Sequence, residues 1–206
     1  MNEDFYTIKD TKEILIEEKS SKFFGLIFHV EDEQEVNSII EDLWKKNKGA
    51  RHIVYAYKIV KEGKEYIKYS DNGEPQGTAG QPILKIIEAK KLRNVLIVVI
   101  RYFGGILLGA GLLGRTYMNA AKNVVDESKI EEVKMGVEEC IEIDYKDVKY
   151  IKILLENSKA KIISQEFLEN VKISYELTKS DYEDFKNKLS TTLVHYKVIL
   201  NKSKYL

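Results

Sequence analysis

Val95-Leu96-Ile97-Val98-Val99-Ile100-Arg101-Tyr102-Phe103-Gly104-Gly105-Ile106-Leu107-Leu108-Gly109-Ala110-Gly111-Leu112-Leu113-Gly114-Arg115 is the stretch of this 206-residue chain that decides its fold. Its first six residues are continuously apolar and mostly β-branched, which suits a strand covered on both faces and therefore central in a sheet. Leu113, Tyr117, Ala120, Ala121 and Val124 then recur at helical spacing, so a long helix is expected over 112–127. Strand, glycine-rich loop, helix is the layout of phosphate sites in α/β proteins. Residues 109–114 satisfy the dinucleotide pattern G-x-G-x-x-G, yet the strand ends near Arg101 and no acidic residue closes a second strand about 20 residues on. A P-loop fails as well, because Ala110 stands where lysine would have to follow Gly109.

Eight of the 12 glycines (73, 77, 80, 104, 105, 109, 111 and 114) and both prolines, Pro75 and Pro82, lie between Ser70 and Arg115. Glycine inside regular structure costs roughly 0.5–1 kcal/mol relative to alanine, so such density implies unusual dihedrals or close approach of the backbone to something. A second loop, Ser70 to Pro82, feeds a helix carrying Ile83, Ile86 and Ile87. Thr78 with Gln81 forms one capping scheme for it, and Gln81 as cap with Pro82 at the first helical position forms another. Either way a helix N-terminus is presented, with unpaired N–H groups that attract anions.

Working outward, Val36, Ile39, Ile40, Leu43 and Trp44 predict an amphipathic helix over 33–47, entered through an Asp32/Glu35 capping box. Strands are expected at 14–18, 23–30, 53–60 and 66–69, the last two flanking a turn at Lys61-Glu62-Gly63-Lys64. From Val137 the pattern changes to strict alternation, as in Val171, Ile173, Tyr175 and Leu177, interleaved with two helical stripes. The second of these, carrying Tyr182, Phe185 and Leu189, is entered through a Ser180/Glu183 capping box. The order strand, helix, strand, strand, helix, strand is ferredoxin-like. The fold class is therefore α+β with two domains, 1–134 and 135–206.

Lysine plus arginine (33) balances aspartate plus glutamate (33), and residues 1–134 hold 21 of each, so neither half carries a basic footprint. No DNA specificity is indicated, and any nucleic-acid contact has to be local. The lone Cys140 excludes an intrachain disulfide and a cysteine zinc site; His29, His52 and His195 lack ligand spacing, so neither metal nor cofactor is expected. The acidic start lacks a signal-peptide layout, and the longest apolar run is far short of the roughly 20 residues a membrane helix needs. A cytoplasmic protein without membrane association is expected. Lysine outnumbers arginine 29 to 4, so Arg101 and Arg115 stand out. Their planar forks suit phosphate or carboxylate and stack on aromatics. The competing reading pairs both with Asp71 and Glu74 in a structural network. Tyr102 and Phe103 suit either base stacking or a core. His52, Asp71 and Glu74 are the residue types an acid–base site would use.

Ser70-Asp71-Asn72-Gly73-Glu74-Pro75, Gly77-Thr78-Ala79-Gly80, Arg101-Tyr102-Phe103-Gly104-Gly105 with Leu108-Gly109, and Arg51-His52 with Tyr55-Ala56-Tyr57 resemble the signature of the YigZ/IMPACT family of translation-associated proteins. Ser21-Lys22-Phe23 resembles its opening motif, and the likeness covers about 20–125. The family usually has valine at the position of Gly114, which makes the third glycine of the dinucleotide pattern incidental. The resemblance implies a first domain similar to a small-subunit ribosomal-protein domain and a tail similar to the last domain of elongation factor G. It also implies partners among RNA, the ribosome or a translation-related protein. The site expected from loops and resemblance together comprises Arg51, Ser70, Asp71, Gly73, Glu74, Gly77, Thr78, Gly80, Arg101, Tyr102, Phe103, Gly104, Gly105, Gly109, Gly111 and Arg115. The alternative is an enzyme for a phosphorylated or carboxylated small molecule using Asp71, Glu74 and His52.

Overall fold

The computed structural model describes residues 4–61 and 64–206, which divide into two compact units, Phe5–Glu132 and Val133–Leu206 together with Asp4. Along the chain run β1 (Phe5–Ile8), β2 (Lys12–Glu18), β3 (Ser21–His29), α1 (Glu33–Lys46), β4 (His52–Lys61), β5 (Lys64–Ser70), α2 (Gly80–Ala89), β6 (Val95–Tyr102), α3 (Ala110–Asp126) and β7 (Ile130–Val133). β2-β3-β6-β4-β5 form a five-stranded sheet, every neighbouring pair antiparallel, with β6 in the middle as its apolar run requires. β1 and β7 make a two-stranded ribbon that no sequence pattern announced.

The continuous run of β6 is explained by its two faces. Val95, Ile97 and Val99 pack with Ile83, Ile87, Leu113, Tyr117 and Val124 of α2 and α3, whereas Leu96, Val98 and Ile100 pack with Val36 and Leu43 of α1. Three layers result, helices on both sides of one sheet. Asp32 caps α1 by accepting from the Glu35 N–H at 3.0 Å, as expected, but the Glu35 carboxylate returns to the Glu31 N–H rather than to Asp32. β4 and β5 pair through Lys61 and Lys64; the turn expected there falls on 62 and 63, outside the described residues.

The second unit continues with β8 (Met135–Ile143), α4 (Val148–Asn157), β9 (Lys161–Phe167), β10 (Val171–Thr178), α5 (Lys179–Ser190) and β11 (Tyr196–Tyr205). Its sheet order, β11-β8-β10-β9 with all pairs antiparallel, is that of a βαββαβ ferredoxin-like fold. Ile141, Ile143, Val171, Ile173 and Leu177 face Ile151, Leu155, Phe185 and Leu189 of the two helices. The cap of α5 is Thr178, whose Oγ1 accepts the Asp181 N–H, and not the Ser180/Glu183 pair that the sequence suggested. A hydroxyl one residue before the helix can reach the orphan amides; Ser180 already lies inside the first turn.

Candidate functional site

The Ser70–Pro82 loop is organised by one carboxylate. Asp71 Oδ1 accepts from the Ala79 and Gly80 N–H groups at 3.0 and 2.8 Å, and Oδ2 from Gly77 N–H at 2.8 Å. The Ala79 and Gly80 amides are donors at the start of α2, whose N-cap residue is Ala79 and has no side-chain cap of its own, and Gly77 belongs to the loop before it. The caps expected from Thr78 and Gln81 are replaced by a carboxylate eight residues upstream, and Thr78 Oγ1 donates instead to the Pro75 carbonyl. The anion that this helix terminus attracts is therefore the protein's own. Asn72 ties the loop to β4: its Oδ1 accepts the Ile53 N–H at 2.9 Å and its carbonyl accepts from His52 Nδ1 at 2.7 Å. Ser70 Oγ accepts the Asn72 N–H at 3.3 Å. Gly73 and Gly77 have positive φ, and Gly80 leaves no room for a Cβ against the Ser70 carbonyl.

Glu74 is the hub that joins the two loops. Its Oε1 accepts from Arg101 Nη1 at 2.6 Å and from the Tyr117 hydroxyl at 2.8 Å, and His52 Nε2 stands 3.9 Å away. The Arg101 and Glu74 side chains are only 6% and 5% exposed. The Arg101 guanidinium also lies over the rings of Phe23 and Phe103, 5.3 and 5.5 Å from their centroids, and its Nε is buried without a hydrogen-bond partner. Burial, and then the Glu74 charge, raise the Tyr117 hydroxyl far above the usual phenol range, which keeps it a donor. The hydrogen bond that His52 Nδ1 donates to the Asn72 carbonyl fixes the ring so that Nε2 faces Glu74.

This geometry corrects three expectations. Arg101 cannot offer its fork to an external phosphate, because the guanidinium is buried against Glu74 and aromatic rings inside the unit. Asp71 and Glu74 serve backbone amides and Arg101, so neither stands as a free acid or base. Tyr102 points to the other face of the sheet, where its hydroxyl donates to Asn47 Oδ1 at 2.8 Å and its ring meets Phe24 edge-on. Alternation explains the last point: successive strand residues face opposite ways, so Arg101 and Tyr102 cannot serve one site.

What stays open is the lip between β6 and α3. Phe103, Ile106 and Leu107 are exposed, Leu107 at 84%. Arg51 lies over the Phe103 ring of this lip, its guanidinium 5.8 Å from the centroid. Arg115 is exposed one turn into α3, with Nε donating to the Gly111 carbonyl at 3.3 Å. α3 is entered through Gly109 as its N-cap, with φ of 72°, and no side chain caps it. Of the glycines here, Gly104 is demanded by packing, since a Cβ would sit 2.1 Å from the Ser20 backbone, where its N–H donates to Ser21 Oγ. Gly105 and Gly109 are demanded by positive φ. Gly111 is demanded by neither: it is helical and nothing lies within 4 Å of where its Cβ would be.

Sequence reasoning missed Tyr117, Asn72, Ser21 and Phe23 as members of the network. Tyr117 carried a usable signal, because a tyrosine in the buried stripe of a helix needs a partner for its hydroxyl. Among the described residues no group of three or more His, Cys, Asp or Glu side chains could hold a metal ion, and no helix is long and apolar enough to cross a membrane.

Fold and site together define a two-domain α+β protein whose first domain carries a carboxylate-organised glycine loop beside an arginine-flanked lip. Residues 19–125 match the Impact N-terminal domain and residues 141–193 a domain of unknown function, DUF1949. The chain belongs to the YigZ/IMPACT family. It is similar to an IMPACT family member of Haemophilus influenzae, 30% identical over 84% of each chain. It is also similar to YigZ of Escherichia coli, 26% identical over 86% of this chain and 87% of that one. A crystal structure of a hypothetical protein shares the fold, with a TM-score of 0.62 and 24% identity over 96% of this chain and 97% of that one.

Proposed function

We propose that the protein is a translation-associated binding module that meets RNA on the ribosome through the lip 103–111, Arg51 and Arg115. Family membership supports the translation-associated part of this reading. The observation that carries the site is Gly111. Alanine there would stabilise the helix by about 0.5–1 kcal/mol, and neither packing nor dihedrals forbid it, so the bare backbone is explained by close approach of something external. The uncapped start of α3 supplies N–H donors to that visitor. Two of the four arginines are buried, and the two exposed ones flank this lip. A phosphate backbone is the ligand that matches amides plus guanidinium forks.

The test is cosedimentation with ribosomes, and with a labelled single-stranded RNA, between about 50 and about 200 mM salt. The Arg51→Ala plus Arg115→Ala double variant is expected to fold normally and to flatten the salt dependence of log K by roughly 1.4–1.8, from two lost phosphate contacts. Absence of association at the lower salt, or an unchanged slope, refutes the reading. The exposure of Ile106 and Leu107 favours a second reading, a translation-related protein docked on this lip. Its mark is an association insensitive to salt and lost in Leu107→Ser.

A further inference from the structure

The lip does not stand alone at its end of the five-stranded sheet. β3, β6 and β4 are neighbours there, and three connecting segments meet: the turn Lys19-Ser20 before β3, the lip after β6, and 47–51 before β4. A Cβ on Gly104 would lie 2.1 Å from the Ser20 backbone and one on Gly49 3.6 Å from the Tyr102 ring, and the Arg51 N–H donates to the Arg101 carbonyl at 3.0 Å. Adjacent strands lie about 4.8 Å apart, so the starts of β3 and β4 stand about 10 Å from one another with the lip between them. Charge here has one sign. Lys19, Lys48, Arg51 and Arg115 are exposed, and residues 19–20, 47–51 and 103–115 contain no aspartate or glutamate. The bordering carboxylates are turned or paired elsewhere. Glu17 is 3.7 Å from Lys22, Glu18 continues the row of Ile14 and Ile16 on the face that α3 covers, and Asp71 and Glu74 serve amides and Arg101.

Between these cations the lip is apolar. Phe103, Ile106 and Leu107 are 38, 49 and 84% exposed. The Phe103 ring is held by the guanidiniums of Arg101 and Arg51, 5.5 and 5.8 Å from its centroid. A ring already fixed loses little freedom when something stacks on it. A duplex presents phosphates and groove edges and keeps its base faces covered by stacking. An unpaired strand can lay base faces on apolar side chains while its phosphates meet cations. Cations around an apolar strip match the unpaired strand and leave the strip without a role toward a duplex. Resting on the RNA reading above, we propose that the lip takes an unpaired RNA strand crossing the sheet end from β3 toward β4. Its phosphates lie on Lys19, Lys48, Arg51 and Arg115, and its bases on Phe103 and Leu107.

The test compares a fluorescein-labelled RNA of about 12 nucleotides with the same strand annealed to its complement, by anisotropy on the full chain between about 50 and about 200 mM salt. Charge alone favours the duplex, which carries about twice the charge per unit length. Base stacking reverses the order, and the single strand is expected to bind at least about fivefold more tightly. Phe103→Leu is expected to erase most of that preference while keeping the salt dependence. Leu107→Ser, at a position open to solvent, is expected to reduce it, with thermal unfolding as the control for folding. Lys19→Gln plus Lys48→Gln is expected to flatten the salt dependence of log K on the single strand by roughly 1.4, from two lost phosphate contacts. A duplex bound as tightly as the strand overturns the proposal and leaves the phosphate reading standing. So does a preference unchanged in both Phe103→Leu and Leu107→Ser, or a slope unchanged in the lysine variant. Failure of both RNAs to bind at the lower salt overturns the proposal and the phosphate reading together.

Discussion

Replacing Asp71 with alanine removes the acceptor of three amides at once, with N···O distances of 2.8, 3.0 and 2.8 Å. Hydrogen bonds to a charged group contribute roughly 1.5–3 kcal/mol each, which would sum to about 4.5–9 kcal/mol if they were independent. They share one carboxylate on a half-buried loop, and water can reach some of the freed donors, so the sum is a ceiling. Loss of an ordinary N-cap costs about 0.5–2 kcal/mol and sets the floor. About 3 kcal/mol is the expected cost. With an unfolding entropy of roughly 2.1 cal/mol/K for each residue, a unit the size of Phe5–Glu132 should lose about 11 °C in Tm. Asp71→Asn keeps one carbonyl acceptor without the charge, and should lose about half as much. Urea titration followed by fluorescence isolates this unit, because the chain's single tryptophan, Trp44, lies in α1. A loss below about 0.5 kcal/mol in Asp71→Ala, or an asparagine variant no better than alanine, would show that the carboxylate does not organise the loop.

Two glycines on the same stretch should respond in opposite directions. Gly104→Ala forces a Cβ to 2.1 Å from the Ser20 backbone, which cannot yield as a side chain would, and should cost about 3 kcal/mol or more. Gly111→Ala should instead raise stability by about 0.5–1 kcal/mol while weakening ribosome association, both read from urea midpoints and sedimentation. Acid should destabilise the first unit through depressed carboxylates. Asp126 is held down by the Lys122 and then the Lys90 ammonium groups, and Asp32 by the Glu35 N–H and then Lys61. Folded-state values below unfolded ones mean that this stability is present above about pH 4 and is lost as pH falls through the lowered values. Thermal unfolding between pH 7 and pH 3 should show the loss, with a shallower slope in Asp126→Asn; equal slopes would rule out that contribution.

The layers of the fold were legible because periodicity reports burial directly. The run Val95–Ile100 announced a central strand, and strict alternation after Val137 announced a sheet with one covered face. Caps were less legible, since several side chains near a helix start compete and the winner depends on the path of the chain. Thr78, Gln81 and Ser180 all satisfied local rules, yet the caps come from Asp71, which only the fold of the loop brings back to α2, and from Thr178. The ribbon of β1 with β7 joins residues more than 120 positions apart, and no local pattern encodes such a pairing.

The scarcity of arginine carried the right chemistry and the wrong partner. Arg101 does pair with a carboxylate, through Nη1, and does lay a flat face on aromatics, the property that lysine lacks, but both are spent on Glu74, Phe23 and Phe103. Arg93 repeats the pattern in the same unit, over the Phe5 ring and 3.7 Å from Glu65. A buried guanidinium needs such partners, and a chain otherwise built on lysine keeps arginine where desolvation would be costly without them. The same reasoning separates Arg51 and Arg115. Burial does not account for arginine at those two exposed positions, so the argument for an external phosphate passes from Arg101 and Arg115 to Arg51 and Arg115, the pair beside Gly111.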